Sequence, residues 1–134
     1  AYLDAKKKQA EQGIQQINSG IETINSTLID LQKNKELAES VLSSINKIDS
    51  TISELNVMLE QDKKALENAT TDTEKAELNE MIKYITSQIE SLNLQKQELI
   101  SYGITDEKLN QINAGITECE KQKSELETQI ESIN

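Results

Sequence analysis

Isoleucine and leucine recur along this chain at alternating spacings of three and four residues. The first stretch contains Leu3, Lys7, Ala10, Ile14, Ile17, Ile21, Ile24, Leu28 and Leu31. This spacing places apolar side chains at positions a and d of a heptad repeat, where they form one stripe along a helix. The pattern therefore predicts long helices that pair along a narrow apolar seam.

The seam becomes irregular over residues 32–40 and then returns with a shifted phase. The second stretch contains Ile45, Ile48, Ile52, Leu55, Leu59, Leu66 and Ala69. A phase slip locally overwinds or unwinds a coiled coil, or marks a joint. We therefore expect the first arm to be interrupted near Asn34.

A cluster of Asn, Thr and Asp at residues 67–74 predicts a turn, because these side chains bond to their own backbone in competition with the helix. Thr71 and Glu74 have the spacing of a capping box, which satisfies free amides at the start of a helix. A new helix should begin near Asp72. Its seam consists of Leu78, Ile82, Ile85, Ile89, Leu92 and Leu99.

A second break is predicted at residues 101–105. Gly103 suits the position after a helix end, where a left-handed backbone is required, and Ile104 supplies the apolar contact that often accompanies it. Thr105 is a suitable N-cap for the following helix. The seam of this last helix consists of Leu109, Ile112, Ile116, Cys119, Lys123, Leu126, Ile130 and Ile133.

These elements predict an all-α fold, a long antiparallel coiled-coil hairpin that forms a single domain over residues 1–134. Arm one covers residues 1–67, the tip turn 68–72 and arm two 73–134. The irregularity near Asn34 and the break near Gly103 are nearly equidistant from the tip, so a hairpin should place them opposite each other as an elbow.

Glycine marks two related segments, residues 16–21 and 111–116, which share the pattern Gln-Ile-Asn-x-Gly-Ile. The hairpin should place them at a similar level near its base. A helical glycine costs up to ~1 kcal/mol relative to alanine. We therefore expect Gly13 and Gly20 to lie where the helices approach closely.

The composition narrows the chemistry that the chain can perform. The net charge is −10, which argues against nucleic-acid binding because that needs clustered cations. With no histidine, Ser-His and Cys-His nucleophiles and the usual zinc sites are excluded. No phosphate-binding or calcium-binding loop is present. The sequence predicts no enzyme activity, no cofactor and no metal, and Cys119, at a seam position, is read as a small buried apolar residue.

Charged residues at seam positions carry information about pairing. They are Lys7, Lys35, Asp62, Lys96 and Lys123. Such residues can fix register or partner choice, but a lysine stem can also lie along the seam while its ammonium reaches water. We favour the second interpretation. No apolar run approaches the ~20 residues of a membrane span, no signal peptide is visible, and we expect the chain to be part of a longer protein.

Two consecutive segments that begin with glycine, residues 13–19 and 20–26, read Gly-Ile-Gln-Gln-Ile-Asn-Ser and Gly-Ile-Glu-Thr-Ile-Asn-Ser. This repeat resembles the extracellular coiled-coil inserts of Gram-positive FtsX-like (MacB-type) ABC transporter permeases. It is similar, as a second choice, to the heptads of YhgE/Pip-type membrane proteins, although the chain has fewer glycines than a strict Leu-x-x-Gly repeat.

The first resemblance implies a non-enzymatic stalk on the extracellular face of the cell membrane, within a larger membrane transport protein. It would bind a protein or peptide partner, or a substrate, and relay movement to the parent membrane protein. The expected partner-contact residues at the tip are Asn68, Thr70, Thr71 and Asp72. Homodimerisation stays open. The alternatives are a structural spacer that forms a parallel homodimeric coiled coil and a compact four-helix sensor bundle.

Overall fold

The computed structural model describes residues 1–133, which form three helices and no strand. Helix α1 spans Tyr2–Asn68, α2 spans Asp72–Ser101 and α3 spans Asp106–Ile133. Helix α1 is arm one, residues 69–71 form the tip turn, and α2 and α3 make up arm two. The predicted all-α hairpin, its tip and its break near Gly103 are confirmed. The last residue of the predicted domain, Asn134, lies outside the described residues.

The predicted interruption of arm one at Asn34 is wrong for the backbone, because α1 continues through this residue without a break. Residues 32–40 contain no glycine or proline and are mostly good helix formers, so the helix has no local reason to end there. A phase slip changes which face is apolar, whereas helix termination needs a change in backbone conformation. An unbroken α1 also excludes the four-helix bundle, which required a fold-back near residue 34.

The hairpin packs as two units. Unit 1 contains Ala1–Glu39 together with the chain from Asp106 onward, and unit 2 contains Ser40–Thr105. The boundary in α1 falls between Ala38 and Val41, which are both buried although only three residues apart. The alternation of three-residue and four-residue spacings fails here, because two spacings of three follow each other from Lys35 to Ala38 and from Ala38 to Val41. The phase slip therefore lies at the boundary between the units, a few residues after Asn34.

Unit 1 consists of the first part of α1 packed against α3 in antiparallel register. A β-carbon placed on Gly20 would lie 3.3 Å from Leu126 Cδ1, and one on Gly13 would lie 3.8 Å from Ile133 Cδ1. Farther along, a β-carbon on Gly115 would lie 3.5 Å from Leu31 Cδ1. Moving toward the tip along α1 therefore corresponds to moving by the same number of residues toward the N-terminus of α3. The close approach predicted at Gly20 is confirmed, while Gly13 makes an ordinary contact distance.

The two glycine-containing segments do not face each other, contrary to the prediction. Gly20 lies opposite Leu126, and Gly115 lies opposite Leu31. The two levels are separated by eleven residues of α1, or about 16 Å. Each glycine instead makes room for a leucine of the opposite arm. The repeated sequence therefore corresponds to the same glycine–leucine contact at two places in unit 1.

Unit 2 consists of the remainder of α1 packed against α2, also in antiparallel register. One level brings Thr51 and Leu55 together with Gln88 and Leu92. One heptad away, Ser44 and Ile48 lie beside Gln95 and Leu99. The most deeply buried residue of this unit is Ile85, which is 4% exposed.

The seam is thin in both units. The chain exposes 9843 Å² of surface, whereas a compact monomer of 15 kDa exposes about 7,000 Å². Among the described residues, only Leu28, Ala38, Val41 and Ile85 are buried, and most other seam residues are half-buried. Each seam residue therefore gains only part of the ~1.5–3 kcal/mol that full burial provides.

Candidate functional site

The tip turn is short and tightly capped. Thr71 has an extended backbone, and its side-chain oxygen accepts a hydrogen bond from the Glu74 amide at 3.1 Å. At the end of α1, the Ala69 amide donates to the Leu66 carbonyl at 3.2 Å. The predicted N-cap at Thr71 is thus observed, and the turn is held from both helices.

The predicted partner-contact residues at the tip are all exposed: Asn68, Thr70, Thr71 and Asp72. Asp72 and Glu74 lie in the first turn of α2, where carboxylates interact favourably with the helix dipole. Residues 68–74 offer one amide, three hydroxyls and two carboxylates. Such groups can recognise a partner through hydrogen bonds and charge.

The break in arm two is a helix end with a left-handed glycine. The Gly103 amide donates to the Ile100 carbonyl at 2.9 Å, and the φ angle of Gly103 is 71°. Ile104 is half-buried, as expected for the apolar contact of this motif. Of the two predicted elbow residues, Gly103 belongs to unit 2 and Asn34 to unit 1, and their pairing stays a prediction.

Two of the seam lysines form ion pairs. The Lys96 ammonium lies 2.6 Å from Asp49 Oδ1 in the opposite arm of unit 2, and Lys35 lies 3.9 Å from Glu39 on the same helix. The first pair links the two arms, so Lys96 contributes to register rather than only reaching water. Because both partners are about a third to a half exposed, the pair contributes at most about 1 kcal/mol. Asp49 gave no sequence signal, since it lies beside the seam and not in it.

Asp62 is a seam residue with a buried polar atom that lacks a hydrogen bond. Its Oδ2 atom is buried and has no hydrogen-bond partner within the described chain. A buried acceptor without a donor costs about 1–3 kcal/mol. Asp62 therefore weakens unit 2 close to the tip.

A groove that the sequence analysis missed runs along one side of unit 2. Its floor is formed by seam residues, and its walls by residues four positions earlier on the same helix, at heptad position g. The floor residues are Ile48, Leu55, Asp62, Ile85, Leu92 and Leu99. The wall residues are Ser44, Thr51, Met58, Met81, Gln88 and Gln95. Charged residues are usual at position g, yet none of these six is charged.

The unit 2 groove is open over two of its three heptads. At Thr51 and Gln88, and again at Ser44 and Gln95, the walls are short or polar and the floor residues are half-exposed. Toward the tip the walls are Met58 and Met81, and there Ile85 on the floor is almost fully buried. Both methionines are themselves about half exposed, at 48% and 49%. Writing the sequence as heptads would have revealed the uncharged g positions.

Residues 1–133 contain no group of three or more His, Cys, Asp or Glu side chains that could hold a metal ion. Cys119 is a free, half-buried thiol. None of the described helices has the length and apolar composition needed to span a membrane.

The fold and these surfaces define the chain as an all-helical coiled-coil hairpin. Comparisons with protein-family models, with curated proteins and with solved structures find no match.

Proposed function

We propose that this chain is a non-enzymatic binding stalk that presents its tip to a protein or peptide partner. The observation that carries the proposal is the tip itself: Thr71 caps α2 with its backbone and hydroxyl, which fixes the turn. The neighbouring side chains of Asn68, Thr70 and Asp72 are left exposed and polar. A rigid turn that displays polar groups loses little conformational entropy when a partner binds.

The resemblance to FtsX-like permease inserts gives the proposal its setting. In that setting the chain is an extracellular part of a membrane transport protein, and partner binding at the tip is relayed through the two arms to the membrane part. The hairpin suits this role because its two ends belong to the same unit.

Photo-crosslinking tests the binding role. A photoreactive amino acid at Thr70 should form an adduct with one partner, whereas the same group at Ser50, an exposed position of α1, should not. Substituting both Asn68 and Asp72 by alanine should abolish the adduct while Thr71 keeps the cap. Equal adducts from Thr70 and Ser50, or an adduct that survives the double substitution, would contradict a tip-specific role.

Labelling of intact cells tests the setting. In the full protein, a Thr70→Cys substitution combined with Cys119→Ser leaves residue 70 as the only thiol of this chain, and the Cys119→Ser protein alone is the background control. A membrane-impermeant maleimide should label it in intact cells of the source organism. Labelling that occurs only after lysis would contradict the extracellular placement and leave the binding role to be judged by the crosslinking result.

A further inference from the structure

We propose that unit 2 binds a second copy of this chain through the unit 2 groove, in a two-fold arrangement with the tips pointing in opposite directions. This goes beyond the proposed function, because it assigns a second surface and its occupant. If the stalks are anchored to membranes at their bases, opposite tips require the two copies to extend from facing membranes. Three features of unit 2 support it: the shape of the groove, the absence of charge on its walls, and the charges on its rim.

The groove is complementary in shape to itself. Half-exposed methionines, Met58 and Met81, project at its tip end, and an open section lies at its other end, beside Ser44 and Gln95. A two-fold axis near Thr51 carries the methionines of each copy onto the open section of the other. Methionine is flexible and polarizable and fills irregular apolar gaps well. A self-complementary patch of this kind is what an isologous dimer requires.

The uncharged walls matter because two copies repel each other. Each chain carries a net charge of −10, so most faces would bring carboxylates together. The opposite flank of unit 2, one residue after the floor positions, includes Asp49 and Lys63. The six wall residues of the groove carry no charge, and the two charged residues that also line its open section, Lys47 and Glu98, have opposite signs.

The rim of the groove provides opposite charges that can pair in the antiparallel arrangement. Lys47 and Glu54 lie one heptad apart on α1, just outside the wall residues, and both are exposed. Neither has an ion-pair partner within residues 1–133. When α1 packs against α1 of the second copy about Thr51, Lys47 of each copy lies level with Glu54 of the other. Two ion pairs form by symmetry, whereas a parallel arrangement would place Lys47 level with Glu98 of the second copy, which lines the same section of the groove.

The rim on α2 presents no conflict in this arrangement. Glu98 lies level with the segment of the second copy that contains Ser91 and Tyr84, and both of these carry exposed hydroxyls. The section from Ser44 to Asp62 extends for about 27 Å and is about 20 Å wide, or roughly 540 Å² per copy. The total of about 1,100 Å² is just below the usual range of stable specific interfaces, so the dimer should be weak and reversible.

Sedimentation velocity of the full 134-residue chain over a concentration series tests the interface. Met58→Glu should raise the dimer dissociation constant by about tenfold or more, since it places a carboxylate in the contact. Val57→Glu is the matched control, because Val57 is 58% exposed, adjacent in sequence and on the outer face of α1. It should change the constant by less than about twofold, and circular dichroism should show equal helicity in both variants.

A charge swap tests the arrangement. Lys47→Glu and Glu54→Lys should each weaken the dimer by about threefold or more, and the double variant should recover most of the loss. With Cys119→Ser, a spin label at Thr70→Cys should report a separation of roughly 50–57 Å between the two tips, because the last helical residue, Asn68, lies 17 residues from the axis on each side. A monomer at millimolar concentration, equal effects of the Met58 and Val57 substitutions, no recovery in the swap, or adjacent tips would each overturn the proposal.

Discussion

Asp62 occupies a seam position whose neighbours along the stripe are Leu59 and Leu66. Its buried Oδ2 atom accepts no hydrogen bond within the described chain, so the carboxylate loses hydration without compensation. A leucine at this position would continue the stripe. The residue therefore lowers the stability of unit 2.

We expect Asp62→Leu to raise the free energy of unfolding by about 1–3 kcal/mol, because it removes an unpaired buried acceptor and adds apolar contact. Urea unfolding followed by circular dichroism at a fixed protein concentration measures the change. Asp62→Asn is the control, since it removes the charge but keeps a polar group, and it should give a smaller gain. A leucine variant no more stable than the asparagine variant would contradict this account.

Gly13 and Gly20 provide a matched pair, one heptad apart on the same helix. Alanine at either position gains up to about 1 kcal/mol of helix propensity. At Gly20 the new methyl would lie 3.3 Å from Leu126 Cδ1 and force that side chain to move, whereas at Gly13 the distance of 3.8 Å is ordinary. Gly13→Ala should therefore stabilise the chain more than Gly20→Ala in the same urea experiment. The reverse order would show that close approach at Gly20 does not limit the substitution.

At the scale of helices, the elements that the sequence predicts correctly are those with a local chemical signal. Thr71 and Glu74 identify the start of α2, and Gly103 identifies the end of the preceding helix before α3 begins. Asn34 had no such signal. Its assignment as a break rested on apolar phase alone, and phase reports which face packs, while the continuity of the backbone depends on the residues themselves.

Features of the site that depend on the opposite arm could not be predicted in the same way. The pairing of Lys96 with Asp49 requires the register of unit 2, which seam spacing defines only to within a heptad. The groove was visible in principle, because uncharged residues such as Thr51 and Gln88 recur at heptad position g. The exposure of the tip residues followed directly from the predicted turn.

Gly103 should be the least replaceable glycine of the chain. Its φ angle of 71° is strained for a residue with a β-carbon, so Gly103→Ala should lower the free energy of unfolding by about 1–2 kcal/mol. Gly103→Asn should cost less, because asparagine tolerates the left-handed conformation. Urea unfolding of the two variants measures the difference. Equal losses would indicate that the left-handed backbone is not maintained in solution.

For the molecule as a whole, the thin seam means that the stability of each unit depends mainly on contacts within that unit. Each residue of α1 packs against the residues opposite it in its own unit, as in a repeat protein whose elements contact only their neighbours. Few residues are fully buried, so there is no single core that every part of the chain must share. Opening of one unit should therefore be detectable separately from opening of the other.

Ile85 and Leu28 test this locality, since each is among the most buried residues of its own unit. Ile85→Ala should cost about 2–4 kcal/mol through lost burial and an unfilled cavity. Amide hydrogen exchange should show most of the lost protection in α2 and in the part of α1 after Ser40, with little change in α3. Leu28→Ala should give the reciprocal pattern. If either substitution lowers protection equally in α2 and α3, the hairpin unfolds as one cooperative unit, and the phase slip between Ala38 and Val41 has no energetic consequence.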